Sequence, residues 1–244
     1  MRLIERVKNL LGGASKRDID KVRLRIVPAA DQIQADMIWR LLAEQIADRW
    51  DESIPQPAPN PDNLFGPTLI GAWSDDRLVG GAFVMPDTQD SKQLRDVGAY
   101  QAAHAIERYC CLVQGVAVVP ERRRQGIGLQ VKRFVDRWAA QHGACIVSGV
   151  PTNQAARHMN KRAHHDVLPP GVALVLDVPD DDRRVMITLP MLTDKITDAS
   201  WAVRVVAQPD CPAILVGQGG TVPEGGSHDE QGRVRWLAYA GRFR

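Results

Sequence analysis

The stretch Val116-Ala117-Val118-Val119-Pro120-Glu121-Arg122-Arg123-Arg124-Gln125-Gly126-Ile127-Gly128-Leu129 decides the fold. The apolar residues ahead of Pro120 read as the end of a buried strand. Beyond the basic turn, Leu129, Phe134, Val135 and Trp138 recur at helical spacing, so an amphipathic helix opens at Gly126 and runs to Gln141. Three consecutive arginines alone would describe a solvated charge run. Between a strand and a glycine-spaced helix start they line an entrance. Glycines let backbone N–H groups come close to a ligand, and a helix N-terminus carries about half a positive charge, so the arrangement is a cradle for an anion such as a diphosphate.

Two other phosphate-binding designs are less compatible with these residues. A dinucleotide fold wants Gly-x-Gly-x-x-Gly directly after a strand, with an acid about 20 residues later. Here Val131 stands at the third glycine place, Pro120 and charged residues follow the strand, and no acidic residue lies between Ala139 and Asn153. A P-loop is excluded because no Gly-Lys-Ser/Thr follows.

Outward from this stretch, Ala144 to Val150 reads as a buried strand and Gln154 to Ala163 as a helix opened by Asn153. The order strand, turn, Arg-x-x-Gly-x-Gly, helix, strand, asparagine-containing turn, helix resembles the GNAT family of N-acetyltransferases. Arg123, Gly126 and Gly128 fill the places of the family signature Q/R-x-x-G-x-G/A, and Val118-Val119-Pro120-Glu121 resembles the run that precedes it. Pro151-Thr152-Asn153-Gln154-Ala155-Ala156 resembles the family's next element, in which an asparagine opens a helix. From Val22 to Val178 the elements run strand, helix, hairpin, strand, helix, strand, helix, strand, as in that family.

The resemblance implies an α/β fold with a mixed sheet, an acyl-CoA N-acyltransferase fold, here followed by a β-rich C-terminal extension. It implies acetyl-coenzyme A or a related acyl-CoA as co-substrate, no metal, and a primary amine on a small molecule or peptide as acceptor. The pyrophosphate would sit on the turn formed by Arg123, Arg124, Gln125, Gly126, Ile127, Gly128 and Leu129. The pantetheine arm would pair with the strand edge at Val116 and Val118, beside a splayed sheet, with Asn153 near its end. The N–H of Val118 would polarise the thioester carbonyl, the logic of an oxyanion hole.

The proton-transfer groups depart from the family pattern. The usual tyrosine, seven residues beyond the asparagine, is replaced by Asn160, and the usual glutamate of the central strand by Gln114. Neither can carry a proton at neutral pH. Glu107 is the substitute base, with His104 beside it in sequence, and His158 is the nearest substitute acid, with His164 and His165 following. The spacing of these histidines and Asp166 matches no familiar metal-ligand pattern.

The rest of the chain bounds the setting. With 244 residues and 44% hydrophobic content it can bury a full core, and a net charge of +2 calls for no nucleic acid or anionic membrane. No apolar run is long enough to span a membrane, no signal-peptide cleavage site stands at the N-terminus, and Cys110, Cys111, Cys145 and Cys211 read as reduced thiols of a cytoplasmic protein. Residues 1–21 read as an amphipathic helix, Met1 to Leu11, and a linker; residues 22–179 as the acetyltransferase domain; residues 180–244 as the extension. The N-terminal helix suits packing on the core or on a second copy, so a homodimer is compatible with it. Asp31 is placed to cap a helix with Ile33, Met37, Leu41, Leu42 and Ile46 inward, running to about Trp50. Thr68 to Trp73 and Leu78 to Met85 form a hairpin, and the segment between Pro86 and Arg108 reads as a polar insertion. Asp51, Glu52, Asp62, Asp87 and Asp90 would give the acceptor mouth a negative lining.

Overall fold

The computed structural model describes residues 24–46, 66–96, 98–170, 173–180, 183–189, 200–206 and 214–219. Over them the elements are β1 (Leu24–Pro28), α1 (Gln32–Gln45), β2 (Thr68–Ser74), β3 (Arg77–Pro86), α2 (Thr88–Asp96), α3 (Tyr100–Tyr109), β4 (Cys110–Val118) and a 3-10 turn (Pro120–Arg122). There follow α4 (Ile127–Gln141), β5 (Ile146–Gly149), α5 (Gln154–Arg162), β6 (Asp166–Val167), β7 (Ala173–Asp180), β8 (Arg183–Leu189), β9 (Ala202–Val205) and β10 (Ile214–Gly219). The strands form a mixed sheet in the order β1-β2-β3-β4-β5-β9-β6 and a smaller sheet β10-β7-β8. The expected helix Met1 to Leu11, its linker, and Asp51, Glu52 and Asp62 of the expected acceptor mouth lie outside the described residues.

Alternation along the strands sorts the core into two layers. Ile70, Ala72, Ala82, Val84, Cys111, Val113 and Val147 pack under Ile127, Val131, Val135 and Trp138 of α4. Their neighbours turn the other way: Leu69, Trp73, Phe83 and Ala117 meet α1, and Cys110, Leu112 and Ile146 meet α3 and β7.

Asp31 caps α1 as expected, its Oδ1 accepting from the N–H of Gln34 at 2.8 Å. The helix ends at Gln45, and its buried stripe is Ala35, Ile38, Trp39, Leu41 and Leu42. Ile33 and Met37, expected inward, are 74% and 43% exposed. Close approach selects the stripe. A Cβ at Gly81 would stand 2.9 Å from Cγ2 of Ile38, so this glycine is what allows Ile38 to reach the sheet. Counting large apolar residues alone overweights Ile33 and Met37 and passes over Ala35.

The segment after Pro86 is two helices. Asp87 opens α2: its Oδ1 accepts from the N–H of Asp90 and its carbonyl from that of Ser91. Asp87 and Asp90 are 1% and 8% exposed, so they line no open mouth. Burial pushes both carboxyls up, that of Asp90, beside Asp87, to about 8. Helix α3 buries Ala102, Ala103, Ala105 and Ile106 and leads directly into β4.

The end of the sheet also differs from expectation. The last strand expected of it, read as ending at Val178, is β7 and lies in the smaller sheet, where Leu174 and Leu176 pack with α3. The place beside β5 is taken by β9, from Gly149↔Ala202 to Ile146↔Val205, and β6 pairs on its far side. A strand from beyond Pro179 is therefore an inner member of the main sheet. Cys110 and Cys111 are free and buried, whereas Cys145, expected reduced, is disulfide-bonded.

A buried polar network joins α4, the end of α5 and β9. Asp136, 3% exposed, accepts from His165 Nε2 at 2.9 Å and from Arg204 Nη1 at 2.8 Å, and Arg204 also reaches the carbonyl of Ala163. Burial pushes the Asp136 carboxyl up, but the His165 hydrogen bond and the charges of His165, Lys132 and Arg204 bring it below its ordinary value. Burial draws the Lys132 ammonium down to about 8. Asp136→Ala strands His165 and Arg204 and is expected to cost about 3–5 kcal/mol in urea unfolding. Because the folded-state pKa of Lys132 is depressed from 10.5 to about 8, its contribution makes stability rise with pH across that window and leaves it lowest below. The difference between the wild type and Lys132→Met should change across that pH range and be flat on either side of it.

Candidate active site

Parallel pairing of β4 with β5 runs from Cys110↔Ile146 to Val113↔Gly149 and stops, because β5 ends there. β4 continues to Val118, held on its other edge by β3 from Gly115↔Phe83 to Val118↔Gly80. Phe83 and Val84 are adjacent on β3 yet face Gly115 and Val113, which leaves Gln114 as the extra residue of a bulge. A bulge bends its strand and increases twist, and this one falls next to the point where the parallel partner is lost.

The direction of the freed edge groups follows from parity. The N–H of Val119 donates to the carbonyl of Val79 at 3.1 Å. Alternate residues of an antiparallel ladder turn their N–H and C=O to the same side, so Ala117 also faces β3 while Val116 and Val118 face the opened edge. The carbonyl of Val118 there accepts from Arg123 Nε at 3.2 Å.

At the end of β4, Pro120–Arg122 makes one 3-10 turn, and Arg124 and Gly126 take left-handed conformations with φ of 61° and 80°. The first backbone bond of α4 is Gln130 N–H to the Gly126 carbonyl at 3.1 Å, so the amides of Ile127, Gly128 and Leu129 have no partner within the helix. Its first turn holds no acidic residue and no side chain caps it. A Cβ at Gly126 would meet nothing within 4 Å, whereas one at Gly128 would lie 3.2 Å from Met159 Sδ and 3.5 Å from Val118 Cγ2. The helix start thus rests on β4 and α5 on one side and opens to solvent on the other. Arg124 is exposed at this opening and Arg122 is half-buried beside it. A strand edge with outward amides that leads to an uncapped helix N-terminus suits a long ligand with an anionic segment.

The family model described as "Acetyltransferase (GNAT) family" matches residues 35–165, more than half of the chain. The chain belongs to the GNAT acetyltransferase family. Among solved structures it is similar to the ribosomal-protein-S18-alanine N-acetyltransferase of Escherichia coli, with 10% identity over 76% of this chain and 95% of that one and a TM-score of 0.45. It is similar to an acetyltransferase of the GNAT family from Streptococcus pneumoniae, with 13% identity, 75% and 98% coverage and a TM-score of 0.47. A Bacillus subtilis acetyltransferase in complex with CoA gives 14% identity, 75% and 99% coverage and a TM-score of 0.44. No curated protein matches the chain. Such low overlaps add nothing to the assignment, which rests on the family match.

Within this GNAT scaffold, Val116 and Val118 lie on the last part of β4 and the turn from Arg123 to Leu129 follows it, with Gly128 against Val118 and Met159. Asn153 caps α5, its Oδ1 accepting from Ala156 N–H at 2.9 Å. Glu107 is not among them. It sits at the end of α3, before the first residue of a nine-residue strand whose last is Val118, about 25 Å away along that strand. Its oxygens take Arg95 Nη1 and Nη2 at 2.6 and 2.7 Å, and Ser91 donates to it as well. The Arg95 hydrogen bonds hold its carboxyl below the ordinary range, the wrong direction for a base. This expectation is corrected by the strand's length and the ion pair.

His158 lies on the exposed side of α5, beside Met159. His165 is spent on Asp136. Asn160 is buried, its Nδ2 donating to the carbonyl of Ala156 and its Oδ1 unpaired. Gln114, at the bulge, reaches Met85 Sδ at 3.4 Å. Among the described residues no group of His, Cys, Asp and Glu could hold a metal, and no helix is long and apolar enough to cross a membrane. Sequence reading missed the network of Lys132, Asp136, His165 and Arg204, although Lys132 and Asp136 are one helical turn apart, and missed Asp87 as a helix cap.

Gly126→Val tests the turn. A branched residue at φ of 80° is expected to lower stability by about 1–2 kcal/mol in thermal unfolding, although a Cβ there meets no neighbouring atom.

Proposed function

We propose that this protein transfers an acetyl or related acyl group from acetyl-coenzyme A to a primary amine by direct attack in a ternary complex. The observation that supports it most is the opened β4 edge running into an uncapped helix start with open space at Gly126. In this reading the amides of Gln125, Gly126, Ile127, Gly128 and Leu129 hold the pyrophosphate, with Arg124 as the nearby cation. The pantetheine arm follows Val116 and Val118 toward Asn153. The Val118 N–H polarises the thioester carbonyl, and holding both reactants in place supplies much of the acceleration. The amine's proton leaves through water, and His158 or solvent returns one to the thiolate.

A second reading is favoured by Asn160, Gln114 and the engaged Glu107: a GNAT module that binds the coenzyme without turnover. Incubation with acetyl-coenzyme A and a panel of small and peptide amines, following free thiol while binding is measured by calorimetry, separates the two. Thiol release that depends on an amine supports transfer; binding without release supports the module.

Arg124→Glu is expected to weaken coenzyme A binding by about a hundredfold, since a charge-assisted contact is lost and a repulsive one added. Unaltered affinity would count against this placement of the pyrophosphate. Glu107→Gln is expected to leave amine-dependent thiol release per folded molecule unchanged while lowering the unfolding midpoint through loss of the Arg95 pair.

A further inference from the structure

Arg123 is the first residue of the signature, but its side chain does not point at the phosphate cradle. Its Nε donates to the Val118 carbonyl at 3.2 Å and its Nη2 to Oε1 of Gln45, the last residue of α1, at 2.7 Å. That carbonyl belongs to the opened edge. α1 covers the face of the sheet opposite α4, so a side chain that leaves the turn before α4 and ends on α1 passes around the end of β4. Arg122 and Arg124 carry the cationic charge of the turn without such commitments among the described residues.

We infer that Arg123 is a strap that competes with the coenzyme for the edge of β4 and couples that edge to the end of α1. The inference rests on the coenzyme slot proposed above. A ligand arm added to a strand edge runs about 4.8 Å from it. A guanidinium donating to the edge carbonyl stands in that lane. The carbonyl can accept two hydrogen bonds, so the conflict is one of space more than of bonding capacity. When the arm enters, the Nε contact is broken, the Gln45 contact goes with it, and the last turn of α1 loses its tie to the site. Arg123 is then a positioning residue: its contacts oppose entry of the arm along the edge and report that entry to α1.

The test compares wild type, Gln45→Ala, Arg123→Ala and Arg123→Lys, using coenzyme A itself as probe. Calorimetric affinity is measured at two salt concentrations, and amide exchange at residues 42–46 with and without the probe. Gln45→Ala removes the anchor and leaves every cation in place, so it is expected to bind coenzyme A about fivefold more tightly, the value of one net hydrogen bond, with unchanged salt dependence. Arg123→Lys follows it. Without coenzyme A, Gln45→Ala and Arg123→Ala both speed exchange at the end of α1, and saturating coenzyme A speeds it in the wild type only. If Arg123 is instead a phosphate ligand, Arg123→Ala weakens binding and flattens the salt dependence while Gln45→Ala changes neither, which overturns the strap. Unchanged α1 exchange in the ligand-free variants overturns it without reference to any ligand. A wild type that fails to bind coenzyme A overturns the slot reading and the competition together, whatever the ligand-free exchange reports about the tie itself.

Discussion

An unpaired strand edge is the constraint on which the rest depends. Buried main-chain N–H and C=O groups need partners, and a sheet ordinarily supplies them on both sides. β5 stops at Gly149 while β4 continues to Val118, so one edge of the central strand has lost its ladder in the middle of the sheet. The register shift at Gln114 marks a bulge, a feature that bends a strand and increases its twist, close to where the ladder is lost. The fold therefore keeps open a row of main-chain groups that it has to occupy or hydrate. The Arg123 contact with the Val118 carbonyl follows from that break in the ladder.

The opening needs a rigid frame, and the two halves of the structure supply it differently. On one face α4 is seated on aliphatic residues, and Gly128 lets its first turn rest against Val118 and Met159. Farther along the same helix, the Asp136 network fastens β9 and the end of α5. A buried ionic junction often stabilises less than apolar packing of the same volume would, but this one ties three elements together through directional bonds from His165 and Arg204. On the other face α1 and α3 are held by close packing, Ile38 over Gly81 and a run of alanines in α3.

Chemistry at the site is dominated by main chain. Asn160 and Gln114 hold the matched places and carry no proton, Glu107 is committed to Arg95 and His165 to Asp136, and His158 is exposed on α5. In the proposed reaction what remains is orientation and oxyanion stabilisation, which demand little of side-chain identity.

Local patterns determined much of this in the sequence itself. The strand, the Arg-x-x-Gly-x-Gly turn, the helix after it and the Asn153 cap could all be read because each is set by neighbours a few residues apart: a proline, a left-handed glycine, an apolar stripe. Asp87 as a cap was readable on the same basis. Tertiary structure alone decided the rest. That Met37 faces out, that β9 and not the strand after Pro170 lies beside β5, that Glu107 stands at the wrong end of β4, and that Arg123 spans to Gln45 all depend on contacts between segments far apart in the chain. Such contacts are chosen by packing space and by which edge another strand reaches first, and neither quantity is written in the residues on one side of the contact.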